Sequence, residues 1–162
     1  MDIKQAIAFN LSSSEYLVNG YLADLQSSDL LVRPTPGANH IAWQLGHLIA
    51  AERFLVERGL PGKMDALPDG FVDRHKKGTA ASDNASDFMS KDEYLRLAKK
   101  VRANTLSIVD SLSPADFDNP ASGGPPFVKT VGDALLFISG HWLMHAGQWA
   151  VIRRKLGRAP LF

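Results

Sequence analysis

Apolar residues return every three or four positions in four separate stretches of this chain, and no stretch alternates as a half-buried strand would. The first stretch runs from Asp2 to about Gln26 and sets Ile3, Ile7, Leu11, Leu17, Val18, Tyr21 and Leu25 near one face. The second covers Asn39 to Arg58, with Ile41, Leu45, Leu48, Ala51 and Leu55 on its stripe and Gly59 placed as a C-cap. The third begins at Ser90, followed three residues later by Glu93 in the pattern of a capping box. Its stripe is Tyr94, Leu97, Val101, Ile108 and Leu112, and Ser113-Pro114 ends it. The fourth opens with Thr130 as N-cap and carries Val131, Leu135, Ile138, Trp142, Trp149, Ile152 and Leu156. Arg153, Arg154 and Lys155 fall in its last turn, where cations suit the helix dipole, and Gly157 closes it. An amphipathic helix must bury its stripe against another element, so four of them predict an all-α four-helix bundle.

The breaks are of two kinds. Arg33-Pro34-Thr35-Pro36-Gly37 and Gly123-Gly124-Pro125-Pro126 are short punctuations. Leu60 to Met89 is instead a long connection rich in Gly, Pro, Asp and Ser, of a length that points to a functional or mobile segment. With 162 residues and no internal repeat, the expectation is one domain over 1–162.

Charge and composition narrow the function. Eighteen basic against seventeen acidic residues leave +1, which gives no basic face for nucleic acid. There is no cysteine, hence no disulfide, thiolate ligand or cysteine nucleophile. The N-terminus lacks a basic segment followed by an apolar one, and the longest apolar run, Val131 to Ile152, is interrupted by Asp133, His141, His145 and Gln148. A cytoplasmic protein without a membrane partner is expected.

His141 and His145 stand four residues apart, so they share a helix face. That face, with Ile138, Gln148 and Ile152, follows the apolar stripe, and both imidazoles are expected to point inward. Buried imidazoles need partners, and one divalent cation would serve both. A third ligand should come from another helix. His47, beside Leu48 on the second stripe, is best placed; His40, seven residues earlier and close to the helix start, reads as a surface or capping residue. Three histidines with an open position are the ligand set of a catalytic site rather than a closed structural one. Zinc and nickel lead the candidates, with iron, manganese and copper behind them. The competing reading is a bundle whose histidines are merely hydrogen-bonded, because an HxxxH pair alone is a weak signal. Trp142 follows His141 where a zincin protease requires Glu, and no Glu-x-x-His pairing of di-iron bundles occurs.

Gln44 and Gln148, each three residues from a candidate ligand, either orient imidazoles or are half-exposed helix polars. Trp43, Trp142 and Trp149 are assigned to packing before pocket lining. Glu52 and Asp133 are the acids nearest the candidate ligands in sequence; a solvated helix face is the first reading and a general base the second. His75, among Asp73, Arg74, Lys76 and Lys77, reads as surface.

Several blocks together resemble the DinB-like (damage-inducible, YfiT-type) family of metalloenzymes. They are Asn39-His40-Ile41-Ala42-Trp43-Gln44-Leu45-Gly46-His47-Leu48, the long 60–89 connection, and the 90–112 helix with its Ser-Pro-Ala-Asp-Phe sequel at 113–117. To these is added Gly140-His141-Trp142-Leu143-Met144-His145-Ala146-Gly147-Gln148, followed by Arg153 and Leu156-Gly157. The resemblance implies a four-helix bundle, one metal held by His47, His141 and His145, and frequent dimers. Some relatives of that kind are transferases and isomerases dependent on mycothiol, bacillithiol or glutathione. His40 departs from the family pattern, where small polar residues are commoner. Two functions follow as expectations: a metal-dependent enzyme, such as a thiol S-transferase or a hydrolase, and a non-catalytic metal-binding stress-response or interaction module.

Overall fold

The structure is a computed structural model that describes residues 1–161. Its helices are α1 (Ile3–Leu22), α2 (Ile41–Gly59), the single-turn α3 (Phe71–Arg74), α4 (Lys91–Ser111) and α5 (Val131–Lys155). No β-strand occurs among the described residues. The starts follow local chemistry. Asp2 with Gln5, Ser90 with Glu93, and Thr130 with Asp133 each form a capping box, which satisfies otherwise orphaned backbone N–H groups. At α2 the cap is His40, whose Nδ1 accepts the Trp43 N–H at 3.1 Å.

Two expected ends shift. Helix α1 stops at Leu22, short of Gln26, and the carbonyls at and just past its end are taken by Lys91, whose ammonium donates to Leu22 O, Ala23 O and Leu25 O. A 3₁₀ turn over Ser27–Leu31 then buries Leu30. Gly59 is the last residue of α2 rather than its cap. A Cβ there would stand 2.6 Å from Val131 Cγ2, so the glycine lets α2 approach the start of α5.

Four seams hold the bundle: α1–α5, α2–α5, α2–α4 and α1–α4. Hydrogen bonds between the helices give the directions. Asn10 reaches Leu136 O and Arg153 reaches Tyr21 O, so α1 and α5 run parallel. Lys4 reaches Asp110 O while Lys91 reaches Leu22 O, so α1 and α4 are antiparallel. Gln44 meets Trp149 and Glu52 meets Trp142, which makes α2 and α5 antiparallel and leaves α2 parallel to α4. Two consecutive long helices that run the same way need a connection spanning a helix length, about 28 Å for nineteen residues. That is why the 60–89 segment is long.

The segment is a packed strap. Phe71 is fully buried, and Arg33 donates to Ala80 O and Ser82 O and pairs with Asp83. His75, expected at the surface, is 2% exposed. Its Nδ1–H donates to Phe71 O at 2.8 Å and its Nε2 accepts the Tyr94 hydroxyl at 2.7 Å. Burial, the largest influence, lowers the His75 pKa, and burial pushes Tyr94 up to about 12. The ring lies on Gly46 of α2, where an added Cβ would fall 2.0 Å from His75 Cδ2. Gly46→Ala should therefore lift the strap from α2 and destabilise the protein by about 1–3 kcal/mol. Thermal melting reads the loss; an unchanged midpoint would show that the strap is not seated there.

Glu52 also departs from expectation. It is 1% exposed, between α2 and α4, not on a solvated face. Arg102, 4% exposed, holds its carboxylate through Nε and Nη2, both at 2.8 Å, and Thr105 Oγ1 and Trp142 Nε1 donate to it at 2.9 Å each. Asp133, expected on a solvated face, is half-buried at the start of α5. It accepts the Lys129 and Thr130 N–H groups, and these bonds lower its pKa. Among the described residues no helix is long and apolar enough to cross a membrane.

Candidate metal centre

Helices α2 and α5 bring three histidines together. One ring nitrogen each of His47, His141 and His145 lies within 4.8 Å of the others. The ring centroids are 5.1 Å apart for His47–His141, 5.5 Å for His47–His145 and 5.0 Å for His141–His145. Three imidazoles bound to one ion at about 2.1 Å, with angles of roughly 90–109°, would have centroids about 4.6–5.3 Å apart. The observed triangle needs little adjustment to reach that arrangement. His145 is 8% exposed, and His47 and His141 are half-buried, so the cluster sits at the bundle surface with one wall inside.

The orientation of His145 is fixed by Gln44. Its Nδ1–H donates to Gln44 Oε1 at 3.0 Å, and Trp149 Nε1 donates to the same oxygen at 2.8 Å. Gln44 Nε2 donates in turn to Asn39 O at 2.6 Å and to Gln148 Oε1 at 3.1 Å. Flipping the amide would set N–H against N–H, so the network determines which end is which. With Nδ1 protonated, the Nε2 lone pair of His145 is left for the cluster. Gln44 thus orients an imidazole directly, while Gln148, which is exposed, holds Gln44.

His47 and His141 make no hydrogen bond through their rings among the described residues. Each is held instead by an aromatic ring one turn earlier on its own helix. Trp43 stacks on His47 at 5.0 Å and 6°, and Phe137 on His141 at 5.6 Å and 8°. Trp43 Nε1 donates to Thr79 Oγ1, which ties the 60–89 strap to the edge of the cluster. Trp142 and Trp149 belong to the core, as expected of them, with each indole N–H satisfied.

Burial, foremost, keeps all three imidazoles neutral. It lowers His47, and with the neighbouring histidines it brings His141 and His145 down to about 4. Neutral imidazole is the form that binds metal. The other two histidines have no lone pair to offer. His40 is fully buried, contrary to a surface placement, and serves as the cap; its Nε2–H donates to Ser82 O at 3.0 Å while Nδ1 accepts from Trp43. In His75 both nitrogens are likewise engaged. The donor set is thus three neutral imidazoles with free nitrogens, a chemistry suited to zinc, nickel, copper or iron.

Gln44→Ala should release the His145 ring and leave the Trp149 N–H unpaired. Partners of metal-bound histidines typically contribute about 10–100-fold to affinity, and titration of the variant with zinc should show a loss of that size. Equal zinc affinity in the two proteins would remove Gln44 from the site.

No curated protein matches the chain. The model of the DinB superfamily matches residues 11–149, from within α1 to Trp149 of α5, a span that contains all three histidines of the cluster; the chain belongs to the DinB superfamily.

Proposed function

We propose that this protein is a metal-dependent enzyme in which His47, His141 and His145 bind one divalent transition ion, zinc or nickel before iron, manganese or copper. The observation that carries the reading is the convergence of three imidazoles whose ligand nitrogens lie within 4.8 Å of one another, each ring keeping a nitrogen without a hydrogen bond among the described residues: both in His47 and His141, and Nε2 in His145. Three protein ligands leave room for water or substrate. When bound, such an ion lowers the pKa of a coordinated water or thiol and so supplies a nucleophile near neutral pH. The chain's own residues hold the ligands for that task. Gln44 keeps His145 in the tautomer with Nε2 free, and Trp43 and Phe137 fix the planes of His47 and His141. The half-exposure of the latter two gives a substrate access.

The co-substrate assigned is a low-molecular-weight thiol, which makes S-transfer to an electrophilic carbon the first reaction class and hydrolysis the second. The protein acts as a homodimer, for which the exposed Leu136, Leu143, Met144 and Val151 of α5 offer apolar surface. A second reading, a metal-binding stress-response or interaction module without chemistry, is favoured by one observation. Glu52 is committed to Arg102 and Asp133 to the α5 cap, so neither is free as a general base.

The experiment is turnover by untagged protein loaded with zinc or nickel. It is offered electrophiles together with glutathione, bacillithiol or mycothiol. Product formation that requires both metal and thiol is expected. A fully loaded protein inactive with every pair would select the non-catalytic reading.

A further inference from the structure

The bundle contains a cavity of about 230 Å³ between α1 and α4, lined also by Leu45 of α2 and Trp142 of α5. Leu45, Leu95, Ala98 and Trp142 give it apolar walls, and the Arg102 guanidinium lines it as well. None of the three clustered histidines lines it. An apolar cavity of about 150 Å³ is enough to bind benzene, so this one has room for a ring with a substituent.

Its polar character can be counted. A guanidinium has five N–H donors. In Arg102, Nε and one Nη2 hydrogen go to the Glu52 carboxylate, and the Nη1 pair goes to Leu11 O and Ser14 Oγ. The fifth, on Nη2, has no acceptor among the described residues, although Arg102 is only 4% exposed. The charge of Arg102 is offset by Glu52, and the other two charged residues of the lining, Glu15 and Lys99, are of opposite sign. The cavity therefore selects against a net charge but offers one strong donor.

We propose that this cavity is a binding site for a small uncharged molecule, an aromatic ring or apolar group of similar size, bearing one oxygen acceptor for Arg102. The apolar body packs on Leu45, Leu95 and Trp142, and a carbonyl or ether oxygen takes the spare N–H. This site is separate from the metal cluster and does not depend on the function assigned to it.

Acetophenone is the probe, with ethylbenzene as its near-isostere lacking the acceptor and benzoate as the charged control. Titration followed by the Trp142 indole N–H resonance should show saturable acetophenone binding. A hydrogen bond to a charged donor predicts at least about tenfold tighter binding than ethylbenzene. Benzoate should bind more weakly than acetophenone. Ala98→Phe fills the cavity and should abolish binding; if that variant folds poorly, the milder Ala98→Leu should weaken it at least about tenfold. The His141→Ala/His145→Ala protein should bind acetophenone as the parent does. No saturable binding, equal affinity for acetophenone and ethylbenzene, tighter binding of benzoate, or unaltered binding in a folded Ala98 variant would overturn the site. Loss of binding in the histidine variant would move the ligand to the metal cluster and overturn it too.

Discussion

Glu52→Ala is expected to remove about 3–5 kcal/mol of folding stability, the usual effect of breaking a buried ion pair from one side. The carboxylate joins three helices: it accepts from Arg102 and Thr105 of α4 and from Trp142 of α5 while standing on α2. Alanine leaves the Arg102 charge buried without a counter-ion and strands the Thr105 and Trp142 donors, and each such loss is destabilising. Arg102→Ala should be similarly severe, for it isolates the carboxylate. Replacing both residues with apolar ones of similar volume, Glu52→Leu with Arg102→Met, should recover much of the loss, because desolvation of the pair offsets its attraction. Denaturant unfolding of the two single variants and the double variant measures this. Single variants within about 1 kcal/mol of the parent would mean that water or another group reaches the pair.

Metal removal is the second large effect. The ligands come from two helices and converge only in the folded chain, so a bound ion stabilises that state by mass action, by about 2.7 kcal/mol at a hundredfold excess over its dissociation constant. Chelated protein should melt at a lower temperature yet stay helical, because the stripes of α1, α2, α4 and α5 do not involve the cluster. Returning zinc should restore the midpoint. The metal-free protein should also be acid-sensitive in a defined window. His141 and His145 titrate near 4 in the folded state, against about 6.5 in an unfolded chain. Between those values the unfolded chain binds more protons, so stability rises with pH and is lost as pH falls from about 6.5 toward 4. His141→Ala/His145→Ala should flatten that dependence. A chelated parent whose midpoint is flat across the window would mean that the imidazoles are solvated rather than buried.

The helices were legible because their signals are local. Ser90–Glu93 and Thr130–Asp133 carry the cap in the sequence itself, and both caps form. The proximity of His47, His141 and His145 followed from stripe positions on two helices, whereas a spacing of three from His47 left Gln44 open between imidazole partner and half-exposed polar, and the ring it holds is that of His145 on the other helix. What failed depended on tertiary context. Glu52 lies on the inward stripe between Leu48 and Leu55, and Arg102 lies inward beside Val101 and Thr105; read together, opposite charges on two buried faces would have signalled a pair. Read singly, Glu52 looked solvated. His75 was hidden by the charges around it, and its signal was the spacing of four from Phe71 together with a glycine at 46 to receive the ring. The parallel course of α2 and α4, which accounts for the strap, could not be read from either helix alone.

Elemental analysis of untagged protein, purified without chelator, reads the cluster itself. About one divalent transition ion per chain is predicted for a three-histidine site, falling to about a tenth or less in His47→Ala, His141→Ala and His145→Ala, and little changed in His40→Ala. Full occupancy in the protein lacking His47, His141 and His145 together would contradict the site, as would a parent protein that stays metal-free after dialysis against zinc and nickel.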